Sequence, residues 1–378
     1  MRVLLTTDTI GGVWTYTKEL TQGLLERSHA VALASFGRSS SPGQTSWCSE
    51  MSARYPETFR YVASETPLEW MDANDSAYTH AEDLLLDLAQ SFGADLLHTN
   101  QFCFGKLPTS TPRLVGAHSD VLSWAAACRP EGLNPSPWLD RYKNLVQTGL
   151  LSADAVVAPT QWMLQALACG FSLPSATYVI ANGRDLPPCS CEPLRKLQAV
   201  SVGRLWDDAK GLSVLADVQS PILLFVAGET QHGTANAPRS LGQASLLGPL
   251  EEQQLLDLFR GSSLYLAPSI YEPFGLAPLE AALCGCAVIA NDIPSLREVW
   301  GSNALYFHGA RYLSNLLAKL ASKPMLLQEF QTRARARALQ MTRSSMVEQY
   351  LHLYRHLIDP AYAFYSAATP AEVPAHVS

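Results

Sequence analysis

No stretch of this sequence approaches the roughly 20 consecutive apolar residues that a membrane-spanning helix requires. The opening residues, MRVLLTTDTIGG, turn polar too soon after their single Arg to serve as the apolar region of a secretory signal. The expectation is therefore a cytoplasmic protein. Basic residues are scarce: 27 Lys and Arg stand against 34 Asp and Glu, a formal net charge of -7. Phosphate backbones are held through basic stripes, so this balance argues against a nucleic-acid partner and against strong attachment to an anionic membrane. Metal-ligand spacing is missing too. Among eight cysteines, the close pairs Cys189/Cys191 and Cys284/Cys286 each enclose one residue, where a zinc knuckle uses two or more, and no His stands at ligand spacing from them. Reduced, mostly buried thiols are expected, and no metal site.

What the chain does hold is apolar material. Hydrophobic residues make up 47% of 378 positions, too long a chain for one ordinary core and comfortable for two. Short apolar runs alternate with helical periodicity, the pattern of βα units around parallel sheets. Strands are expected over residues 2–7, 30–36, 60–64, 94–99, 113–118, 154–159 and 177–181. The first helix is expected from near Val13, with Tyr16, Leu20 and Leu24 on one face. Residues 182–193, NGRDLPPCSCEP, read as a linker. A second series then places strands over 198–202, 222–227, 245–247, 264–267, 287–290 and 304–307, followed by helices near 324–341 and 344–358 with no strand after them. The Ala-, Pro- and Ser-rich end, 366–378, is expected to fray. The fold class is α/β: two doubly wound, Rossmann-like domains, 1–181 and 182–343, facing across a cleft. Ligands of such sheets bind beyond the carboxyl ends of the strands, so the polar residues there are the ones to weigh.

The strongest signal is PSIYEPFGLAPLE, residues 268–280. A strand ends near Ala267, a turn carries Glu272, and a helix starts near Gly275, where exposed backbone N–H groups favour an anion. Glu280 lies farther along that helix, facing the cleft, and could accept hydrogen bonds from ribose hydroxyls. The bland alternative is one capping and one solvated carboxylate. A second signal, VGRLWDDAKG at 202–211, puts Gly203, Arg204 and Lys210 after a strand. Lys210 alone could be a surface lysine. Gly11 and Gly12 make a glycine turn between the first strand and the first helix, though not a full dinucleotide fingerprint. His118 ends an apolar strand, with Asp120 and Trp124 following on an expected loop. An indole suits the apolar face of a sugar. Asn100 and Gln101 follow another strand and could bind hydroxyls or merely cap the strand end. Gly228 ends a strand, and Leu250 lies in LLGPL. Arg333, Arg335, Arg337 and Arg343 form an apparent basic cluster, a solvated face or a point of peripheral contact with an acidic surface.

EPFGLAPLE resembles the E-x7-E motif of the retaining glycosyltransferases of family four. The run AALCGCAVIANDIPSLREVW at 281–300 resembles that family's next segment, with Cys286 where Pro is common and Glu298 at its later Glu. VGRLWDDAKG resembles its GRL…KG segment, and the likeness spans nearly the whole chain. It implies the GT-B fold, with the final helix (344–378) crossing back to the first domain. It implies a nucleoside-diphosphate sugar as donor, with Arg204 and Lys210 on the diphosphate beside the N–H groups near Phe274, Gly275 and Leu276. Ribose would lie on Glu280, the nucleotide by Gly203 and Gly228, the base by Leu250, and the transferred hexose on Glu272 and His118. Gly11 and Gly12 would close over phosphates and acceptor; the acceptor, a glycan, lipid-linked or small-molecule hydroxyl, would meet Asn100, Gln101, Asp120 and Trp124. Transfer would retain configuration without a metal or other cofactor, the leaving phosphate itself deprotonating the acceptor; an inverting enzyme would need a base, for which Asp120 is the candidate. Rival readings are a sugar-nucleotide epimerase, a catalytically silent nucleotide-sugar-binding protein and, on the glycine turns alone, a dehydrogenase.

Overall fold

The computed structural model describes residues 1–71, 75–187, 194–232, 235–236 and 240–362. The pair Cys189/Cys191 and the stretch 366–378 lie outside them. The first half runs β1 (Arg2–Asp8), α1 (Gly12–Leu25), β2 (Ala30–Phe36), α2 (Pro42–Arg54), β3 (Phe59–Ala63), α3 (Asp75–Phe92), β4 (Leu96–Thr99), β5 (Arg113–Gly116), α4 (Val121–Cys128), α5 (Pro137–Ser152), β6 (Ala155–Ala158), α6 (Gln161–Gly170) and β7 (Thr177–Val179). Its seven strands form one sheet in the order β3-β2-β1-β4-β5-β6-β7, every pairing parallel. The central strands are buried end to end because helices cover both faces.

The second half runs β8 (Lys196–Val202), β9 (Leu223–Ala227), a small hairpin of β10 (Gln231–His232) and β11 (Ala235–Asn236), β12 (Ser245–Gly248), α7 (Glu252–Arg260), β13 (Ser262–Ala267), α8 (Leu276–Leu283), β14 (Ala287–Asn291), α9 (Pro294–Trp300), β15 (Leu305–Phe307), α10 (Gly309–Ser322) and α11 (Pro324–Ala338). Its sheet is β12-β9-β8-β13-β14-β15. The strand order reverses between β1 and β4 in the first sheet and between β8 and β13 in the second. Those two switch points are where open α/β sheets take their ligands.

The last described helix, α12 (Arg343–Ile358), returns to the first half. Met346, Val347, Tyr350, Leu353 and Tyr354 share one core cluster with Val3 and Leu5 of β1 and Tyr16, Leu20 and Leu24 of α1. Burying each such side chain contributes roughly 1.5–3 kcal/mol against leaving it in water. This explains a helical stretch with no strand after it: its apolar face fills the first sheet's core. Two expectations change. The stretch 182–184 is no solvated linker, since Asn182 and Arg184 are buried, packed where the returning chain crosses at Thr342. A Cβ on Gly183 would lie 2.0 Å from the Thr342 carbonyl oxygen. Nor is there one basic cluster: Arg343 belongs to α12 and pairs with Glu19 and Glu26. On α11, Arg333 pairs with Glu329 and Arg337 donates to the Val299 carbonyl.

Candidate donor and acceptor site between the sheets

The second sheet brings together most of the residues singled out in its half. The ends of β8 and β9 abut, backbone on backbone: a Cβ on Gly228 would meet the Gly203 carbonyl oxygen at 1.9 Å. Lys210 lies across Gly203, its Cγ 2.9 Å from where a Cβ would stand. Its Nζ donates to Glu272 Oε2 at 2.8 Å, and the Ser269 hydroxyl donates to the same oxygen at 3.2 Å. Arg204 donates to Asp207 at 2.6 Å, its guanidinium 5.0 Å from the centre of the Trp206 ring. At 35% exposure the side chain remains open to solvent.

Gly275, with φ +91°, is the N-cap of α8 and offers no side chain to its first-turn N–H groups. That leaves the positive end of the helix open, as an anion site requires. Phe274 is a core side chain, which leaves only its backbone groups to meet a ligand. Across the divide, a Cβ on Gly12 would stand 3.6 Å from Leu276 Cδ1. The two glycine turns, Gly11–Gly12 and Gly275, therefore face each other. Glu280, five residues into α8, is buried and accepts from Arg184 Nε at 2.8 Å. Burial raises its carboxyl above the usual range and the Arg184 charge opposes this. Leu250 is half-buried two residues before Glu252, whose carboxylate shares Arg184 with Glu280.

The first sheet's contribution is neutral. Asn100 donates from Nδ2 to the Thr6 carbonyl at 2.6 Å, which turns its Oδ1 towards His118 Nε2, 3.0 Å away. The acceptor Oδ1 requires the proton on Nε2 and leaves Nδ1 as the lone-pair nitrogen. Burial lowers the His118 pKa to about 4, and Tyr16 of α1 packs its ring 4.4 Å from the imidazole. The strand carrying this histidine ends at Gly116, two residues short of it. Ala117 still donates to the Val157 carbonyl, after which the chain turns to start α4.

Two acceptor candidates are placed differently from expectation. Asp120 and Trp124 lie on no loop: Asp120 is the N-cap of α4, accepting from the N–H groups of Leu122 and Ser123 and from the Ser123 hydroxyl. A carboxylate so occupied, with its pKa raised by burial, is a helix cap first. Trp124 packs at the seam between the halves, beside Cys128, Ala209 and Tyr271, with the Arg129 guanidinium 4.8 Å above its ring. Gln101 is buried, its Oε1 without a partner among the described residues.

With this geometry in place, the comparisons with known proteins decide the family. Residues 10–187 match glycosyltransferase family 4, and residues 193–340 match the glycosyl transferases group 1. The chain belongs to the family 4, group 1 glycosyltransferases. The glycosyltransferase is 26% identical over 334 residues to the alpha-maltose-1-phosphate synthase of Mycobacterium tuberculosis, covering 75% of this chain and 84% of that protein. Over 146 residues it is 32% identical to the D-inositol 3-phosphate glycosyltransferase of Rhodococcus erythropolis, 35% of this chain and 33% of that one. Its fold matches sucrose-phosphate synthase from Thermosynechococcus elongatus with a TM-score of 0.73 and 18% identity, covering 94% and 99% of the two chains. It also matches Anabaena HepE, solved with UDP and glucose, at 0.70 and 15%, covering 93% and 99%. These are GT-B structures.

Four residues of this glycosyltransferase bear on the site although sequence reasoning passed over them or left them without a role. Asp8, at the end of β1, has its pKa raised to about 7 by burial, helped by the Glu69 charge and opposed by Arg204 across the divide. Its position straight after a strand was the available signal. Tyr271 reaches from the second half to the hydroxyls of Ser119 and Ser123, at 3.0 and 2.9 Å. Glu298 accepts from the backbone N–H groups of Gln161 and Trp162, at 2.6 and 2.8 Å, and so caps α6 from the other half of the molecule. Arg184 lay inside a stretch that read as linker. Among the described residues no three His, Cys, Asp or Glu side chains group as a metal site would need, and no described helix is long and apolar enough to cross a membrane.

Proposed function

We propose that this glycosyltransferase moves a hexose-type sugar from a nucleoside-diphosphate sugar to a hydroxyl acceptor, with retained anomeric configuration and no metal. The observation that carries the reading is the pairing of Lys210 with Glu272 beside the uncapped start of α8, with Gly12 of the other half opposite Leu276. Breaking the bond between sugar and diphosphate develops negative charge on the leaving phosphate. Fixed cations and open backbone donors stabilise that charge, each to roughly 3 kcal/mol. In this reading the donor lies mostly on residues 182–343: diphosphate on Arg204, Lys210 and the Gly275 turn, ribose on Glu280, hexose on Glu272, with His118 of the first half also on the hexose. Residues 1–181, with the returning helix, bind the acceptor near Gly12 and Asn100.

The acceptor hydroxyl attacks on the face the diphosphate leaves, and a phosphate oxygen takes its proton. No side chain is assigned as base; Asp120, occupied as a helix cap, supports that choice. Relatives named for maltose-1-phosphate synthesis and a neighbour solved with UDP and glucose support a hexose donor. The test is release of UDP, GDP or ADP from a panel of nucleotide sugars, followed by NMR of the product anomer. An inverted product would remove the same-face route. Conversion of a donor without any acceptor would replace transfer by epimerisation, and tight binding with no turnover over a broad acceptor panel would leave a silent binding protein.

A further inference from the structure

Arg184 is buried where the chain passes from the first sheet to the second. Its backbone N–H donates to the Met341 carbonyl at 3.0 Å, so it is pinned at the place where the chain crosses back as well. Its guanidinium spends each nitrogen on a different element. Nη1 pairs with Glu19 of α1, Nη2 with Glu252 of α7 at 2.5 Å, and Nε with Glu280 of α8 at 2.8 Å. The other partners are tied to both halves: Glu19 Oε2 accepts from Arg343 at 2.6 Å, and Glu252 Oε2 from Lys18 at 2.7 Å. Glu280 differs. Its Oε1 is held by Arg184, while Oε2 accepts no hydrogen bond among the described residues.

We infer that Arg184 is a positioning residue for the donor: it orients the Glu280 carboxylate so that Oε2 is presented to the ribose diol, and it ties that orientation to the register of the two halves through Glu19 and Glu252. The inference rests on reading Glu280 as the ribose ligand. A planar fork whose three nitrogens donate in fixed directions can do this where a lysine cannot, since an ammonium is a compact point charge on a flexible stem. Burial pushes the Glu280 carboxyl up, and the charge and hydrogen bond of the guanidinium oppose that rise. With Arg184 gone, Glu280 is left beside the like charge of Glu252 without its main cation, and the ribose loses an oriented anionic partner. Because the same guanidinium spans both halves, relative motion of the two must rearrange the fork, so ribose binding and closure share one joint.

The test is calorimetric binding of UDP, GDP and ADP, each against its 2′-deoxy and 3′-deoxy forms, to the wild-type protein and to Arg184→Gln. A hydrogen bond to a charged group is worth about tenfold or more in affinity. For whichever base binds tightest, the wild type should prefer the ribonucleotide about tenfold. Arg184→Gln should bind ribo and deoxy forms within about twofold of one another. If the variant weakens all forms equally and keeps the wild-type preference, Arg184 is merely structural and the inference is overturned. If the wild type itself shows no preference, the assignment of ribose to Glu280 fails first and the inference with it. Should Arg184→Gln fail to fold by circular dichroism, Arg184→Lys decides by the same ratio: a lysine that preserves the preference refutes the directional role.

Discussion

At the carboxyl ends of their strands the two sheets present different chemistry. The second offers formal charges with solvent access: Arg204, Lys210 and Glu272 beside an open helix start. The first offers a neutral set that is already hydrogen-bonded to itself, in which Thr6, Asn100 and His118 form a chain. There burial also pushes Asp8 up to about 7, towards the uncharged form. Stabilising developing charge calls for cations that are fixed before the reaction. Holding a neutral hydroxyl calls for prealigned donors and acceptors. Under the proposed function this contrast fits a departing diphosphate held by the second half and a neutral sugar and acceptor met by the first.

The sharpest way to break this comparison is to remove charge on the second side. Arg204→Ala and Lys210→Ala should each lower kcat by at least about a hundredfold with the circular dichroism spectrum unchanged. Near-normal turnover in both would dissolve the contrast. On the first side, His118→Ala should cost less, about tenfold in kcat/KM, because a neutral hydrogen-bonding group is lost rather than a charge. Since His118 stays unprotonated down to about pH 4, the wild-type profile should lack a histidine limb near pH 6 to 7. A limb there that disappears in His118→Gln would contradict the neutral assignment.

Stability against pH gives a smaller effect with a definite sign. The folded pKa of Asp8 lies above its unfolded value of 3.8. Its contribution to stability is therefore present below pH 4 and is lost as pH rises through about 7. The lowered pKa values of His98 and His118, about 3 and about 4, act oppositely, so their contribution is full above about 6.5 and declines as pH falls. In Asp8→Asn, the Tm difference from wild type should thus move in the variant's favour between pH 4 and pH 7 and level off above. A difference independent of pH would mean that Asp8 is not held near neutrality. The smallest expected effect is none at all: excess EDTA should leave turnover unchanged, and loss of activity restored by Mg2+ or Mn2+ would move part of the charge stabilisation from the second sheet's cations to an ion.

Much of the fold was legible because buried parallel strands are continuous apolar runs. Residues 30–36 were read to the residue, and the six strands of the second sheet to within two residues at each end, while the small β10–β11 hairpin was missed. The helix start at Gly275 was legible for a local reason, a glycine between a polar turn and an apolar periodic run. Contacts set by the packing of the two halves were not. Trp124 at a seam depends on where α4 meets Tyr271, which local spacing does not encode, whereas the Asp120 cap is made with N–H groups two and three residues on and was within reach of a local reading. Arg184 sits among prolines and polar residues, and its burial comes from carboxylates 68 to 165 positions away. Glu298 could be matched to a motif, yet its purpose as a helix cap 137 residues upstream lay outside any pattern.

The return of α12 bears on how the molecule is made. His98 of β4 shares its hydrogen bond with Tyr354, 256 residues later. A ribosome delivers β1, β2 and β4 early, but the aromatic face that covers them emerges only after the whole second sheet has been translated. The half synthesised first is therefore the half completed last, and the nascent chain carries an uncovered apolar trough through most of its synthesis, where a chaperone would find its client.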